Sequence, residues 1–169
     1  MTKPILCLDF DGVLHSYTSG WRGAHFIPDP PVPGAMAFLI EAVKHFDVNI
    51  FSSRSHQDGG IRAMQSWIDY WLDQEFGWDK GADVVATANQ ARNDLVYPTE
   101  KPPAMISIDD RALTFTGQWP AMETLLTFKP WNKLPKLAVG VGDIERMMDA
   151  GQSMNLNVDG TVTPKPVSQ

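Results

Sequence analysis

The sequence predicts an α/β protein with three layers, α/β/α, in which helices cover both faces of a parallel sheet. Short apolar segments alternate with helical patterns along residues 5–108. This order of strand, helix, strand, helix and strand is typical of a parallel sheet, because parallel strands are joined by crossover connections. The chain has 169 residues, of which 43% are hydrophobic, and this is enough for one such core.

The first predicted strand is the apolar segment Ile5–Leu8. Residues 13–33 after it show no periodicity and are interrupted by glycines, prolines and aromatic residues. We interpret 13–33 as a flap that follows the first strand. Apolar residues at helical spacing then predict a helix that opens at Gly34, and Val48–Phe51 is the second predicted strand.

The next elements are predicted with weaker patterns. Asp58 is a candidate N-cap for a helix that Gly77 ends, and Val84–Ala86 is a candidate third strand. Met105–Ile108 is the fourth predicted strand. The remaining candidates are a strand at Leu113–Phe115 and helices at Ala121–Thr127 and Asp143–Ala150.

The predicted domain covers residues 1–151, and an extended or partly disordered tail covers 152–169. Cys7 is the only cysteine, which excludes an internal disulfide and a cysteine-based zinc cluster. We see no pattern typical of a signal peptide and no apolar run long enough for a bilayer. A cytoplasmic protein without membrane contact is therefore the expectation.

The charge balance restricts the possible partners. Fourteen Lys and Arg residues stand against twenty Asp and Glu residues, so the formal net charge is −6. Proteins that bind long stretches of nucleic acid carry the opposite balance, because neutralising phosphates supplies much of that affinity. No extended nucleic-acid binding is expected, whereas a small phosphorylated substrate remains compatible if a metal or a few cations meet it.

Two pairs of carboxylates follow predicted strands: Asp9 with Asp11, and Asp109 with Asp110. The carboxyl ends of parallel strands meet at one edge of a sheet, and ligands bind there. Four acidic side chains at one edge repel each other, and Mg²⁺ relieves this repulsion because it prefers oxygen ligands. The alternative is that each pair only caps a loop, which is also common for aspartate.

The segment Asp9-Phe10-Asp11-Gly12-Val13 resembles the first motif of the haloacid dehalogenase (HAD) superfamily of aspartate-based phosphohydrolases. Three further segments are similar to its other motifs, in the right order: Phe51-Ser52, Lys101 and Ile108-Asp109-Asp110. The matches lie within residues 4–116. The resemblance implies a Rossmann-like (HAD-like) fold, and the short intervals between the motifs imply a capless or minimally capped member.

The resemblance also implies roles for these residues. Asp9 is the nucleophile and Asp11 the general acid/base. Ser52 and Lys101 bind the phosphate, and Asp110 holds Mg²⁺ together with Asp9 and the backbone carbonyl of Asp11. The chemistry is consistent with these roles, because a carboxylate attacks phosphorus without prior deprotonation and a metal offsets the repulsion between the anions.

Some assignments remain open in the sequence. Asp109 either binds the metal, directly or through water, or orients Lys101. Ser53 replaces Ser52 as the phosphate-binding hydroxyl if the predicted strand end is misplaced by one residue. The segment 139–143 also resembles a variant of the fourth motif, but Asp110 follows a better strand.

The flap contributes candidate substrate-binding residues, since it follows the nucleophile directly: His15, Tyr17, Trp21 and Arg22. The alternative is a surface loop whose aromatic residues pack on the body of the protein. Arg54 is a further candidate for contact with an anionic or ribose group.

Together these observations predict a Mg²⁺-dependent phosphatase that hydrolyses a phosphomonoester through an aspartyl-phosphate. A nucleotide or another small phosphorylated metabolite is the first candidate substrate. One alternative is a phosphatase for a terminal phosphate of a nucleic acid or a protein. Another is a non-catalytic module with the same fold that binds and sequesters a phosphorylated ligand.

Overall fold

The computed structural model describes residues 2–134, 154–156 and 162–164, with backbone only for Trp78 and for the last two segments. It contains, in chain order, β1 (Ile5–Leu8), α1 (Ala35–His45), β2 (Asp47–Ile50), α2 (Gly60–Phe76), α3 (Ala82–Asp94), β3 (Ile106–Ile108), α4 (Met122–Leu126), β4 (Met154–Leu156) and β5 (Val162–Pro164). Single 3₁₀ turns lie at Trp78–Lys80 and Trp131–Lys133. The chain divides into two compact units, residues 1–119 and 120–169.

The first unit is built on a parallel three-stranded sheet in the order β2-β1-β3. In the central strand, Leu8 is paired with Ile50 of β2 and with Ile108 of β3. The side chains of Leu6 and Leu8 are buried, as expected for the middle strand of a parallel sheet. The α/β class and the parallel sheet are confirmed, and the three-layer arrangement stays a prediction.

The helices of this unit form because their apolar residues recur on one face. In α1, Met36, Leu39 and Val43 are buried at helical spacing, while the last turn carries Lys44 and His45, which suit the negative end of the helix dipole. In α2 the buried face includes Met64, Trp67, Ile68 and Leu72. Both faces join the core around β1 and β2.

The predicted strand at Val84–Ala86 is wrong, because these residues lie inside α3. Two adjacent valines suggest a strand locally, but Val84 is followed at helical spacing by the buried Ala88 and Ala91. This small apolar face packs against α1 and α2, and the packing overrides the local β propensity.

Other boundaries also differ from the predictions. The second strand begins at Asp47 and ends at Ile50, one residue earlier than predicted. Gly77 ends α2 as predicted. Asp58 does not cap this helix: its N-cap residue is Gly59, whose backbone lies in the left-handed region, and no side chain caps the N-terminus. No strand forms at Leu113–Phe115, within a part of the chain that is described.

The second unit contains α4, which corresponds to the predicted helix at Ala121–Thr127, and an antiparallel pair of β4 and β5. These two strands are the described part of the predicted tail. The predicted helix at Asp143–Ala150 and the alternative motif at 139–143 lie outside the described residues. Among the helices described, none has both the length and the apolar character needed to cross a membrane.

Candidate active site

The carboxyl ends of the three parallel strands meet at one edge of the sheet. The backbone N–H of Asp9 donates to the carbonyl of Ile108 at 2.9 Å, and that of Phe51 donates to the carbonyl of Leu8 at 3.0 Å. The residues that follow β1, β2 and β3 therefore lie side by side. This is the edge at which the sequence predicts a site.

Three of the four predicted carboxylates converge there. Asp9, Asp109 and Asp110 each offer a carboxylate oxygen, and these oxygens lie within 4.8 Å of one another. Oxygen donors at this spacing suit a hard divalent cation. The loop-cap alternative does not account for carboxylates from two separate strands meeting.

Asp110 is the most unusual member of this cluster. Its side chain is only 1% exposed, and in the described part of the chain neither carboxylate oxygen receives a hydrogen bond from another residue. The nearest cation is Arg111, whose Nε lies 3.8 Å from Oδ2. A buried carboxylate without donors is costly, and a bound metal would supply the missing partner.

Gly12 makes this close arrangement possible. Its φ is +90°, in the left-handed region that favours glycine, and an added Cβ would collide with the carboxylate of Asp110. Its backbone N–H donates to the carbonyl of His15 at 2.8 Å, which closes the turn at the start of the flap.

The electrostatics of the cluster follow from burial and like charge. Burial raises the pKa of Asp9 to about 7; the carboxylates of Asp109, Asp11 and Asp110 act in the same direction, and the hydrogen bond from the backbone N–H of Phe10 opposes them. Burial also raises the pKa of Asp110, against the effect of Arg111. The donor set, the unpartnered oxygens and this repulsion all fit a divalent cation.

A pocket of about 250 Å³ opens at this edge. Acidic, hydroxyl, aromatic and basic residues line it: Asp9, Asp11, Tyr17, Phe51, Ser52, Ser53, Asp109 and Arg111. This volume admits a phosphate with a small group attached.

Asp11 is held differently from the other carboxylates. Arg54 binds it with two donors, Nε to Oδ2 at 2.9 Å and Nη2 to Oδ1 at 3.1 Å. The ring of His15 contacts Oδ1 through Nδ1 at 2.8 Å. The backbone N–H of Asp29 donates to Nε2 of this ring at 3.2 Å, which leaves Nδ1 to donate to Asp11. Asp11 is thus a buried carboxylate with its charge compensated.

Arg54 joins the flap to the body of the unit. Its side chain is fully buried, and Nη1 donates to the flap carbonyls of Gly23 at 2.8 Å and Ala24 at 2.9 Å. Its Cζ lies 4.7 Å from the ring centre of Trp21, a distance typical of a cation–π contact. The guanidinium is occupied by protein partners.

The other predicted site residues are distributed unevenly. Ser52 and Ser53 both line the pocket; Ser52 is buried and its Oγ accepts from the backbone N–H of Arg54 at 3.4 Å, whereas Ser53 is exposed. Lys101 is exposed and is not among the lining residues. Within the flap, Tyr17 lines the pocket, whereas His15, Trp21 and Arg22 do not. Arg54, in the loop after β2, does not line it either.

Sequence reasoning did not single out Arg111 or Phe51 as site residues. Arg111 directly follows the paired acids of β3, and Phe51 directly follows β2. Position after a strand end is the signal that could have identified both, because it is the same signal that identified the aspartates.

No protein-family model, no curated protein and no solved structure matches this chain. The resemblance to the HAD superfamily rests on the motif residues alone.

Proposed function

We propose that this protein is a Mg²⁺-dependent phosphatase of the HAD type, with a three-layer α/β/α fold, that hydrolyses a phosphomonoester through an aspartyl-phosphate on Asp9. The observation that carries the proposal is the convergence of Asp9, Asp109 and Asp110 beside a pocket with two serines. The Asp110 oxygens are buried there and accept no hydrogen bond from another residue in the described ranges. A nucleotide or another small phosphorylated metabolite is the proposed substrate, because the pocket is small.

The covalent chemistry uses two aspartates. A carboxylate oxygen of Asp9 attacks phosphorus, the ester P–O bond breaks, and the leaving alkoxide takes the proton of the Asp11 carboxyl group. Water then attacks the phosphorus of the aspartyl-phosphate, loses a proton to Asp11, and releases phosphate and Asp9. The hydrogen bond from Arg54 Nε to Asp11 Oδ2 fixes the position of this side chain beside the pocket.

Asp9, Asp110 and the backbone carbonyl of Asp11 would hold Mg²⁺, with Asp109 as a direct ligand or one that acts through water. The bound cation would supply a Lewis acid that neutralises charge between Asp9 and the phosphate. The hydroxyl of Ser52 or Ser53 would bind phosphate oxygens, as would the ammonium group of Lys101 in the role that the resemblance implies.

The test is hydrolysis of p-nitrophenyl phosphate with Mg²⁺, by the wild type and by Asp9→Asn. We expect Asp9→Asn and addition of EDTA each to lower kcat by at least about 10³-fold, as for loss of a nucleophile. The matched control is Asp58→Asn, an exposed aspartate outside the pocket, which should keep wild-type activity. Activity that survives Asp9→Asn or EDTA overturns the proposal.

One observation favours a second candidate, a module that binds a phosphorylated ligand without turnover. Asp11 is engaged by Arg54 and His15, so a catalytic proton transfer competes with these bonds. Binding of phosphate in the presence of Mg²⁺, with no hydrolysis of p-nitrophenyl phosphate or of a panel of phosphometabolites, would identify this module. The panel should include a phosphorylated oligonucleotide and a phosphopeptide, to test terminal phosphates of polymers.

A further inference from the structure

Arg111 lies at the pocket, and its one acidic partner among the described residues is a distant contact with Asp110. It follows the paired acids after β3, and its side chain is 57% exposed. Its closest acidic contact is Nε to Asp110 Oδ2 at 3.8 Å, which is too long for a hydrogen bond. Within the residues that the structure describes, its guanidinium donates no hydrogen bond to any group.

The charge of the pocket makes Arg111 important. The other lining residues include three acidic ones, Asp9, Asp11 and Asp109, and no further Lys, Arg or His among the described residues. A phosphomonoester is itself an anion, so its binding needs positive charge in addition to any metal. A guanidinium presents two parallel donors to phosphate oxygens, a geometry that a lysine ammonium does not offer.

Two other cations are candidates for this task, and both are less well placed. Arg54 is fully buried, and its donors are bound to Asp11 and to flap carbonyls. Lys101, which the resemblance favours, is exposed and does not line the pocket.

Tyr17 supplies a second, independent observation. It has a φ of 53°, and it is the one non-glycine residue in the left-handed region along the described chain. Such backbone strain is concentrated at functional sites. The strained residue lines the pocket, and its ring centre lies 5.8 Å from Cζ of Arg111. The flap thus presents an aromatic ring to this guanidinium.

We propose that Arg111 is the residue that binds the substrate phosphate in this pocket, in the role that the resemblance gives to Lys101, and that Tyr17 is the residue that positions it. This inference rests on the proposed function for its choice of ligand, a phosphomonoester. It adds a specific cation and the contribution of the flap to that site.

The test measures phosphate binding separately from turnover. Titration of inorganic phosphate into the protein with Mg²⁺ gives a Kd, and hydrolysis of p-nitrophenyl phosphate gives KM and kcat. We expect Arg111→Met to raise both Kd and KM by about tenfold or more with a smaller change in kcat, because a charge-assisted bidentate contact is lost. Arg111→Lys should restore part of the affinity, since it keeps the charge without the fork.

A matched control and a competing variant make the result specific. Arg62→Met removes an exposed arginine on α2 and should leave Kd and KM unchanged. Lys101→Met tests the competing assignment, and we expect it to raise Kd by less than Arg111→Met does, since Lys101 does not line the pocket. If Lys101→Met weakens phosphate binding and Arg111→Met behaves like Arg62→Met, the assignment of Arg111 is wrong. Circular dichroism of each variant confirms that it is folded.

The role of Tyr17 is tested by a pair of substitutions. Tyr17→Phe keeps the ring and should keep KM near the wild-type value, whereas Tyr17→Leu should raise KM with kcat largely retained. Equal KM values for these two variants would remove Tyr17 from the proposal.

Failure of this inference can be distinguished from failure of the proposed function. A wild type that binds phosphate through Arg111 but hydrolyses nothing supports the inference and overturns the phosphatase. A wild type that hydrolyses esters with Mg²⁺ while Arg111→Met keeps Kd and KM supports the phosphatase and overturns the inference. A wild type that neither binds phosphate nor hydrolyses an ester overturns both.

Discussion

The loops that follow β2 and β3 each bring an arginine to the same edge of the sheet, and each arginine lies near a buried aspartate. In the first region, Arg54 and Asp11 form a bidentate pair, and both are enclosed by the protein. In the second, Arg111 is mostly exposed, and the buried side chain of Asp110 accepts no hydrogen bond from another described residue. The same two residue types are therefore joined by hydrogen bonds in one region and only by an ion contact of 3.8 Å in the other.

The difference arises from what covers each loop. The flap lies over Arg54, and its carbonyls at Gly23 and Ala24 accept hydrogen bonds from the buried guanidinium. β3 is an edge strand with Ile106 and Ile108 exposed, and no flap carbonyl accepts from Arg111 among the described residues. Burial of a charge is tolerated where partners are supplied, so the first region serves structure and the second is available for a ligand.

The largest expected difference between the two regions is in the free energy of unfolding that each arginine contributes. Arg54→Met should lower the free energy of unfolding by about 3–5 kcal/mol, because it leaves Asp11 buried without its guanidinium partner. Arg111→Met removes an exposed guanidinium that donates no hydrogen bond among the described residues, and it should change this free energy by less than about 0.5 kcal/mol. Urea unfolding of both variants in EDTA measures the difference.

A double variant isolates the pair itself. Combining Arg54→Met with Asp11→Asn removes both charges, so the two losses should be less than additive by about 1–3 kcal/mol. If Arg54→Met lowers the free energy of unfolding as little as Arg111→Met does, the two regions do not differ in their contribution to stability.

The second prediction concerns Gly12, in the turn that follows β1, the strand between β2 and β3 in the sheet. Gly12→Ala should destabilise the protein by about 1–3 kcal/mol and abolish the stabilisation by Mg²⁺, because the new methyl group would displace the Asp110 carboxylate. Gly20 is the matched control: its φ is +71° and an added Cβ would meet nothing within 4 Å. Gly20→Ala should cost about 1 kcal/mol and leave the Mg²⁺ effect intact.

The measurement is thermal unfolding with and without Mg²⁺. A Gly12→Ala variant whose melting temperature still rises with Mg²⁺ as in the wild type would show that Asp110 has no part in cation binding.

Sequence reasoning predicted the features of this site that depend on local order along the chain. The bounds of β1 were predicted as Ile5–Leu8, and the carboxylates after β1 and β3 were expected at one edge; the structure shows both. These predictions succeeded because continuous apolar runs specify buried parallel strands, and parallel strands align their ends. The misassigned strand at Val84–Ala86 failed because three residues do not distinguish a strand from the start of a helix.

Local sequence patterns could not predict that Arg54 is buried and Arg111 exposed. The burial of Arg54 depends on carbonyls of Gly23 and Ala24, about thirty positions earlier in the chain. The availability of Arg111 depends on the position of β3 at the edge of the sheet. Both are tertiary facts, so the sequence favoured Arg54 as a substrate contact and passed over Arg111.

The smallest predicted effect has an unusual sign. Asp110→Asn should stabilise the protein in EDTA by about 1 kcal/mol, because it removes a buried charge that accepts no hydrogen bond from the rest of the described chain and that Asp109 repels. Asp11→Asn should instead destabilise it, because it breaks the pair with Arg54. Two isosteric substitutions at buried aspartates of one edge thus shift the free energy of unfolding in opposite directions.

Mg²⁺ should reverse the order of stability of the wild type and Asp110→Asn. With excess Mg²⁺ the wild type gains stability from binding, and Asp110→Asn loses this gain because a carboxylate ligand is replaced by a neutral amide. Urea unfolding of the wild type and of Asp110→Asn, in EDTA and in Mg²⁺, gives the four values needed. A variant that is less stable than the wild type in EDTA would mean that Asp110 is compensated within the protein, and the second region would then resemble the first.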